Sequence, residues 1–218
     1  MIVIGDRRLL ARGEMDAGVT LDLPVLPMAD MAGALPDDTF MIDLGNCDPE
    51  TVPQGTWSVE GGRSAVQNFR WALLAAHAGL TDVVFFTPFN KHSMLMAQSD
   101  YGDEIGFINA TIGATPPGRE FNVHDEVWNA RVTSHIPLRE VADGVTLIVG
   151  YPFPIVTPAH GTAYDIAGQG IADTGATKNA VELGRNLAHR LPRKDTSESS
   201  ADLLGHFKKA LDPETVWG

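Results

Sequence analysis

One histidine, two carboxylates and several glycines lie close together in residues 157–173. The polar members are His160, Thr162, Asp165 and Asp173, and the glycines are Gly161, Gly168 and Gly170. Side chains of these types can bind a ligand, and glycines permit positive φ angles or the close approach of a ligand to the backbone. The spacing fits a nucleotide-binding loop, although Asp173 stands where the third glycine of the usual dinucleotide fingerprint would be. A glycine-rich turn before a helix is the structural alternative.

A second group of candidate residues follows an apolar run at residues 82–87. Such a run after a helix is typical of a parallel strand buried on both faces, and ligands bind outside the carboxyl ends of such strands. Asn90 and Lys91 stand at that end. A lysine at a helix start opposes the helix dipole, which favours a role in binding an anion over a surface lysine. His135, by its residue type and position alone, is better explained as a capping or hydrogen-bonded residue than as a metal ligand.

The elements that must position these residues alternate between helix and strand. We predict a helix capped by Ser64 and Gln67 and stopped by Gly79, and a helix from Thr174 or Thr177 to about residue 191. Further strands are expected at residues 1–4, 39–44, 127–133 and 146–150. Irregular chain or short strands, and no helix, are expected over 12–38, and a loop-prone stretch over 102–118. This alternation predicts an α/β fold, with layers of helices on a mostly parallel sheet.

Composition excludes several classes of function. The chain has 218 residues and a formal net charge of −12, so a nucleic acid or an anionic membrane is not an expected partner. Cys47 is the only cysteine, no signal peptide or transmembrane stretch is evident, and we expect a cytoplasmic protein. Residues 1–191 are predicted to form one domain, followed by a polar linker and an amphipathic helix in 192–218.

Three segments resemble one enzyme family. Residues 160–173 read His-Gly-Thr-Ala-Tyr-Asp-Ile-Ala-Gly-Gln-Gly-Ile-Ala-Asp, which is similar to the adenosine-binding segment of the 4-hydroxythreonine-4-phosphate dehydrogenases of pyridoxal phosphate biosynthesis. The isocitrate and isopropylmalate dehydrogenases are distant relatives of these enzymes. Thr-Pro-Phe-Asn-Lys at 87–91 and Thr-Ser-His-Ile-Pro-Leu-Arg-Glu-Val-Ala-Asp at 133–143 resemble the same family in the same order.

The resemblance implies a reduced isocitrate/isopropylmalate-dehydrogenase-like fold with α/β/α layers, and an NAD-dependent oxidoreductase. Its reaction would be the metal-assisted oxidation, with decarboxylation, of a small hydroxy acid. The implied cofactor-binding residues are His160, Gly161, Thr162, Ala163, Asp165, Gly168 and Asp173. The implied catalytic residues are Lys91, Asn90 and Glu120, and His135 is the implied ligand of a divalent metal ion.

The sequence also departs from that family. No counterpart of its leading glycine-rich loop is present, and a second domain that carries two more metal-binding histidines is missing near residues 144–147. Ile155 stands where the family has an arginine that binds the substrate phosphate. A reduced, non-catalytic dinucleotide-binding or interaction module is therefore an alternative function, and a fragmentary gene is a further one. We also expect a homodimer, because loss of the second domain should expose apolar surface near residues 144–153 unless the helix at 201–211 covers it.

Overall fold

The computed structural model describes residues 1–27, 35–114, 118–124, 127–130 and 144–190. The strands in these ranges are β1 (Ile2–Gly5), β2 (Val25–Pro27), β3 (Phe40–Asp43), β4 (Val84–Phe85), β5 (Arg119–His124), β6 (Val127–Ala130), β7 (Val145–Val149) and β8 (Ile155–Pro158). The helices are α1 (Arg7–Ala17), α2 (Val59–His77), α3 (Lys91–Ala97), α4 (Glu104–Ile112) and α5 (Gly175–Arg190), and Tyr164–Ile166 forms a 3-10 turn. None of the helices described is long and apolar enough to cross a membrane.

The strands form two sheets, and the predicted α/β class is confirmed. One sheet has the order β1-β3-β2 and is entirely parallel, whereas the other has the order β4-β8-β7-β5-β6. In the second sheet only β4 and β8 are parallel; the other neighbours are antiparallel. The connection between β7 and β8 is too short for the crossover that a parallel pair needs, so these strands run in opposite directions.

Helix α2 packs against both sheets. Phe69 and Leu73 lie in one apolar cluster with Val84 and residues of β7 and β8, while Trp71 and Ala75 lie in a second cluster with β3. The helix therefore fixes the relative position of the carboxyl ends of β3 and β4.

The predicted start of α2 is wrong, although its stop is confirmed. The helix begins at Val59, and the Ser58 hydroxyl caps it by accepting a hydrogen bond from the Gly61 amide at 3.0 Å. Ser64 is instead buried within the second turn. Gly62 is required where α3 crosses, because a Cβ there would overlap the Ser93 carbonyl group. Gly79 has a positive φ angle of 79°, as a left-handed stop requires.

Two stretches that we expected to be irregular contain helices. In α1 the Asp6 carboxylate caps the first turn and Gly18 ends the helix in the left-handed conformation. In α4 Asp103 and Gly113 do the same. These aspartate caps and glycine stops were visible in the sequence, but the proline and glycine content of the wider stretches masked them.

The expected exposed surface near residues 144–153 is not present. Val145, Leu147, Ile148 and Phe153 are buried within the chain. Helix α5 covers one face of this part of the sheet, and α2 with α4 contributes to the cluster on the other. The structure therefore removes this reason for a dimer, and the amphipathic helix predicted at 201–211, like the rest of 192–218, lies outside the described residues.

Candidate functional site

A cavity of about 760 Å³ lies where the chain leaves β3 and β4. Its walls come from α1, the chain before α2, the first half of α2, residues 87–90 and residues 160–174. Among the described residues that line it, Asp16 and His160 can carry charge, and there is no lysine or arginine. The volume falls within the range of about 300–1,000 Å³ that small-molecule and cofactor sites occupy.

The predicted cofactor-binding residues divide into two sets. His160, Gly161, Thr162, Ala163 and Gly168 line the cavity. Asp165 and Asp173 are not among the lining residues, and the Asp173 carboxylate caps α5 by accepting from the Gly175 amide at 2.8 Å. Ala163 has a φ angle of +47°, which an alanine rarely adopts, so the turn that begins there is held in a strained conformation.

The His160 ring has one satisfied and one unsatisfied nitrogen. Nδ1 lies 2.9 Å from the Gly161 carbonyl oxygen. A carbonyl oxygen only accepts, so Nδ1 carries the proton and Nε2 of the neutral ring holds a lone pair. Nε2 is buried and has no hydrogen-bond partner in the described part of the chain. Leaving such an atom unpaired costs about 1–3 kcal/mol.

The loop at 160–174 is docked on α1 through two glycines. A Cβ on Gly170 would lie 2.6 Å from the Asp16 carbonyl oxygen, and one on Gly168 would overlap the Gln54 side chain. Gln54 in turn donates to the Asp16 carboxylate at 2.8 Å and accepts from Arg12 at 2.7 Å. Glycine at 168 and 170 therefore lets the loop close this side of the cavity.

The predicted catalytic residues are not all at the cavity. Asn90 lines it and uses its Oδ1 atom to accept from the Ser93 amide at 2.8 Å, which leaves its Nδ2 group for a ligand. Lys91 is 63% exposed, does not line the cavity, and pairs with Glu104 at 3.0 Å. Glu120 lies in β5 opposite Ile148 and is also outside the lining.

The predicted metal site cannot be located in this structure. His135 lies outside the described residues. Within the ranges that are described, no three histidine, cysteine, aspartate or glutamate side chains are grouped so as to hold a metal ion.

Uncharged side chains form a hydrogen-bond network on the α2 wall, the side of the cavity that the first half of α2 forms, and the sequence analysis did not predict it. Asn46 donates to Asn68 Oδ1 at 3.0 Å and to Gln67 Oε1 at 2.9 Å. Ser64 donates to Asn46 Oδ1 at 3.3 Å and accepts from Asn68 at 3.5 Å. Ser64 and Asn68 line the cavity, beside Cys47. Their spacing of four residues places them on one helix face, but the interpretation of Ser64 as a cap concealed this.

The charged groups near this wall are already neutralised or shielded. Hydrogen bonds from the Arg8 side chain, followed by one from the Cys47 amide, lower the pKa of Asp6 to about 2 despite its burial. Burial raises the pKa of the Cys47 thiol, so it stays protonated at neutral pH. The wall thus presents uncharged groups to the cavity.

Comparison with known proteins identifies related chains. The family model described as pyridoxal phosphate biosynthetic protein PdxA matches residues 1–147 and 140–184. A Rhizobium meliloti protein named as a 4-hydroxythreonine-4-phosphate dehydrogenase is 33% identical over 295 residues, covering 87% of this chain and 85% of that protein. A Methylorubrum extorquens enzyme of the same name is 46% identical over 57 residues, covering 25% of this chain and 16% of the enzyme.

Solved structures show the same fold. The 4-hydroxythreonine-4-phosphate dehydrogenase of Burkholderia phymatum superposes with a TM-score of 0.69 at 19% identity, covering 85% of this chain and 88% of that one. The Klebsiella pneumoniae enzyme gives 0.70 at 16% identity, covering 86% and 88%. The 295 positions aligned with the Rhizobium protein exceed the 218 residues of this chain, so that relative carries residues with no counterpart here. The two matched segments of the family model meet at residues 140–147, next to the place where the sequence analysis located a missing domain.

Proposed function

We propose that this chain, which belongs to the PdxA family of pyridoxal phosphate biosynthetic proteins, is an NAD-dependent dehydrogenase that oxidises the hydroxyl group of a small hydroxy acid. The observation that carries the proposal is that the loop at 160–174 and the loop at 87–90 line the same cavity. A cofactor bound by the first loop and a substrate bound beside the second would then lie in one cavity, next to each other, as hydride transfer requires.

Two features of the chain fit a dinucleotide. The Nε2 atom of His160 has no partner among the described residues and can accept a hydrogen bond from an amino or hydroxyl group of an adenosine, in which case the imidazole must turn to expose this buried atom to the cavity; Thr162 lies in the same wall. The glycines at 161, 168 and 170 keep that wall free of bulky side chains. When bound, NAD supplies the hydride acceptor, whereas the protein residues bind and orient the two reactants.

The substrate side of the proposal rests on Asn90 and Lys91. The free Nδ2 group of Asn90 can donate to a substrate oxygen in the cavity. We propose Lys91 as the proton or charge partner, in which case its ammonium must leave Glu104, to which it is bound at 3.0 Å, and turn towards the cavity. No step is assigned to a metal ion, because the described residues do not supply a set of ligands for one.

We further propose that a substrate without a phosphate group is preferred. A phosphate carries a charge of about −1.5 to −2 at neutral pH, and position 155, where the resembling family has an arginine that binds it, is an isoleucine in this chain. Ile155 is 0% exposed and lies in the core, so that position does not face a ligand at all. Each charge-assisted hydrogen bond that is missing should weaken binding by about 1.5–3 kcal/mol.

Titration of NAD by calorimetry tests the cofactor. The wild type should bind saturably, and His160→Leu should bind about tenfold more weakly because the buried acceptor is lost. Asp165→Ala, the change suggested by the sequence, should also weaken binding; its carboxylate lies outside the cavity lining and must turn inward to reach the ribose. His189→Leu, an exposed histidine on α5, is the matched control and should bind as the wild type does. Absence of both heat and a thermal shift at millimolar NAD would end the proposal.

Turnover is tested separately with 4-hydroxythreonine and its 4-phosphate, by following NADH formation. We expect the unphosphorylated compound to be the better substrate. Robust turnover of the phosphorylated compound, at the level of a complete family member, would refute the stated preference.

A non-catalytic dinucleotide-binding module is the second candidate. The exposed position of Lys91 and its ion pair with Glu104, both outside the cavity, favour it. Saturable NAD binding without NADH formation from any hydroxy acid offered would support this candidate over the enzyme.

A further inference from the structure

The network on the α2 wall is a closed ring of three side chains. Asn46 donates to Asn68, Asn68 donates to Ser64, and Ser64 donates to Asn46. The second N–H of Asn46 is used by Gln67. Hydrogen bonds arranged head to tail in this way reinforce one another and fix the orientation of each amide.

The ring leaves a defined set of groups for a ligand. Asn68 retains one N–H donor and a lone pair on Oδ1, whereas the Ser64 hydroxyl is also hydrogen-bonded with the Cys47 side chain. Ser64 is only 3% exposed, whereas Asn68 is half-buried and lines the cavity, so Asn68 is the member of the ring that a ligand in the cavity can reach.

The chemistry of these groups selects one kind of ligand. A carboxylate or phosphate would receive one hydrogen bond but would also meet the acceptor oxygen of Asn68, with Asp16 as the charged carboxylate in the same lining. A primary carboxamide has both an acceptor and donors, carries no charge, and matches the available N–H and lone pair of Asn68.

We propose that Asn68, oriented by Asn46 and Ser64, binds the carboxamide of the nicotinamide ring of NAD and so positions the ring that accepts the hydride. This inference rests on the proposed function and specifies which wall of the cavity receives the reactive end of the cofactor. Asn68 is a cofactor-binding residue in this assignment, while Asn46 and Ser64 are positioning residues that act through it.

Binding of NAD and of ADP-ribose, which lacks the nicotinamide, provides the test. Calorimetry on the full chain should show that Asn68→Leu weakens NAD about tenfold and leaves ADP-ribose unchanged. Asn68→Asp keeps the acceptor for Asn46 but loses both N–H donors, including the one to Ser64, and if Asn68→Leu does not fold, its ratio of NAD to ADP-ribose affinity should fall in the same way. Gln67→Leu, which removes a partner of the ring outside the cavity lining, is the matched control and should keep the NAD to ADP-ribose ratio of the wild type.

The other outcomes overturn the inference in distinguishable ways. Equal weakening of NAD and ADP-ribose in the Asn68 variants would mean that Asn68 only maintains the shape of the cavity. Unchanged NAD affinity in those variants, or wild-type protein that binds ADP-ribose as tightly as NAD, would remove the carboxamide contact but leave the cofactor proposal intact. Failure of the wild type to bind either compound would refute the proposed function itself.

Discussion

Replacement of Gly170 by alanine should separate the docking of the loop at 160–174 on α1 from overall stability. Gly170 has a φ angle of 65°, and an added Cβ would lie 2.6 Å from the Asp16 carbonyl oxygen of α1. That oxygen belongs to the backbone and cannot rotate away as the end of a flexible side chain would. The loop must therefore shift away from α1, and it carries the wall that includes His160 and Thr162.

The chain offers a closely matched control for this change. Gly113 has a φ angle of 66°, but a Cβ there would meet nothing within 4 Å. Both substitutions force an alanine into the left-handed region, which costs about 1–2 kcal/mol. The difference between Gly170→Ala and Gly113→Ala therefore isolates the contact with Asp16.

Urea unfolding and NAD calorimetry on the two variants measure the effect. We expect both variants to lose about 1–2 kcal/mol of unfolding free energy, because the backbone cost is shared and the loop can move locally. Only Gly170→Ala should lose NAD affinity, by about tenfold or 1.4 kcal/mol. If its affinity stays within about a factor of two of that of Gly113→Ala, the position of the loop on α1 does not matter for binding and the reasoning is wrong.

Two further substitutions test the framework of the site. Asp6 has a pKa of about 2 in the folded chain against an ordinary 3.8, so its contribution to the unfolding free energy is complete above pH 3.8 and is lost as the pH falls through about 2. Asp6→Asn should lower the unfolding free energy at neutral pH by about 1–2 kcal/mol, a figure that already allows for the solvent exposure of Arg8. The same substitution should make stability depend less on pH in the acid range. Asp48→Asn, whose ion pair with Arg8 is exposed on both sides, is its control, and an equal loss there would contradict the special role of Asp6. Ile155→Arg should not restore phosphate binding, because position 155 is fully buried and an unpaired guanidinium there costs several kcal/mol. A stable Ile155→Arg protein that gains activity on the phosphorylated substrate would show that this position does reach the ligand.

Local sequence signals determined the parts of the fold that depend on neighbouring residues. The α/β class followed from the alternation of helical and strand segments. Gly79 stops α2 because the chain leaves the helix through a left-handed conformation, which glycine adopts without strain. The cavity wall at 160–174 followed from a run of glycines and polar residues, and Asn90 followed from its place after a buried strand. The caps of α1 and α4 were equally local, so a closer weighing of aspartate caps against loop composition would have found those helices too.

The tertiary structure decided everything that joins residues far apart in the chain. Lys91 pairs with Glu104 and lies outside the cavity. The residue patterns around Lys91 and around Glu104 do not predict that ion pair. Asn46 meets Ser64 and Asn68 only because α2 packs against the sheet whose strand β3 ends at Asp43, shortly before Asn46. The apolar run at 145–149 is buried by α5 and by α2 with α4, whereas the sequence alone suggested that it would be bare. Propensity and spacing act over one or two turns, while burial and long-range hydrogen bonds depend on which surfaces the packed helices bring together.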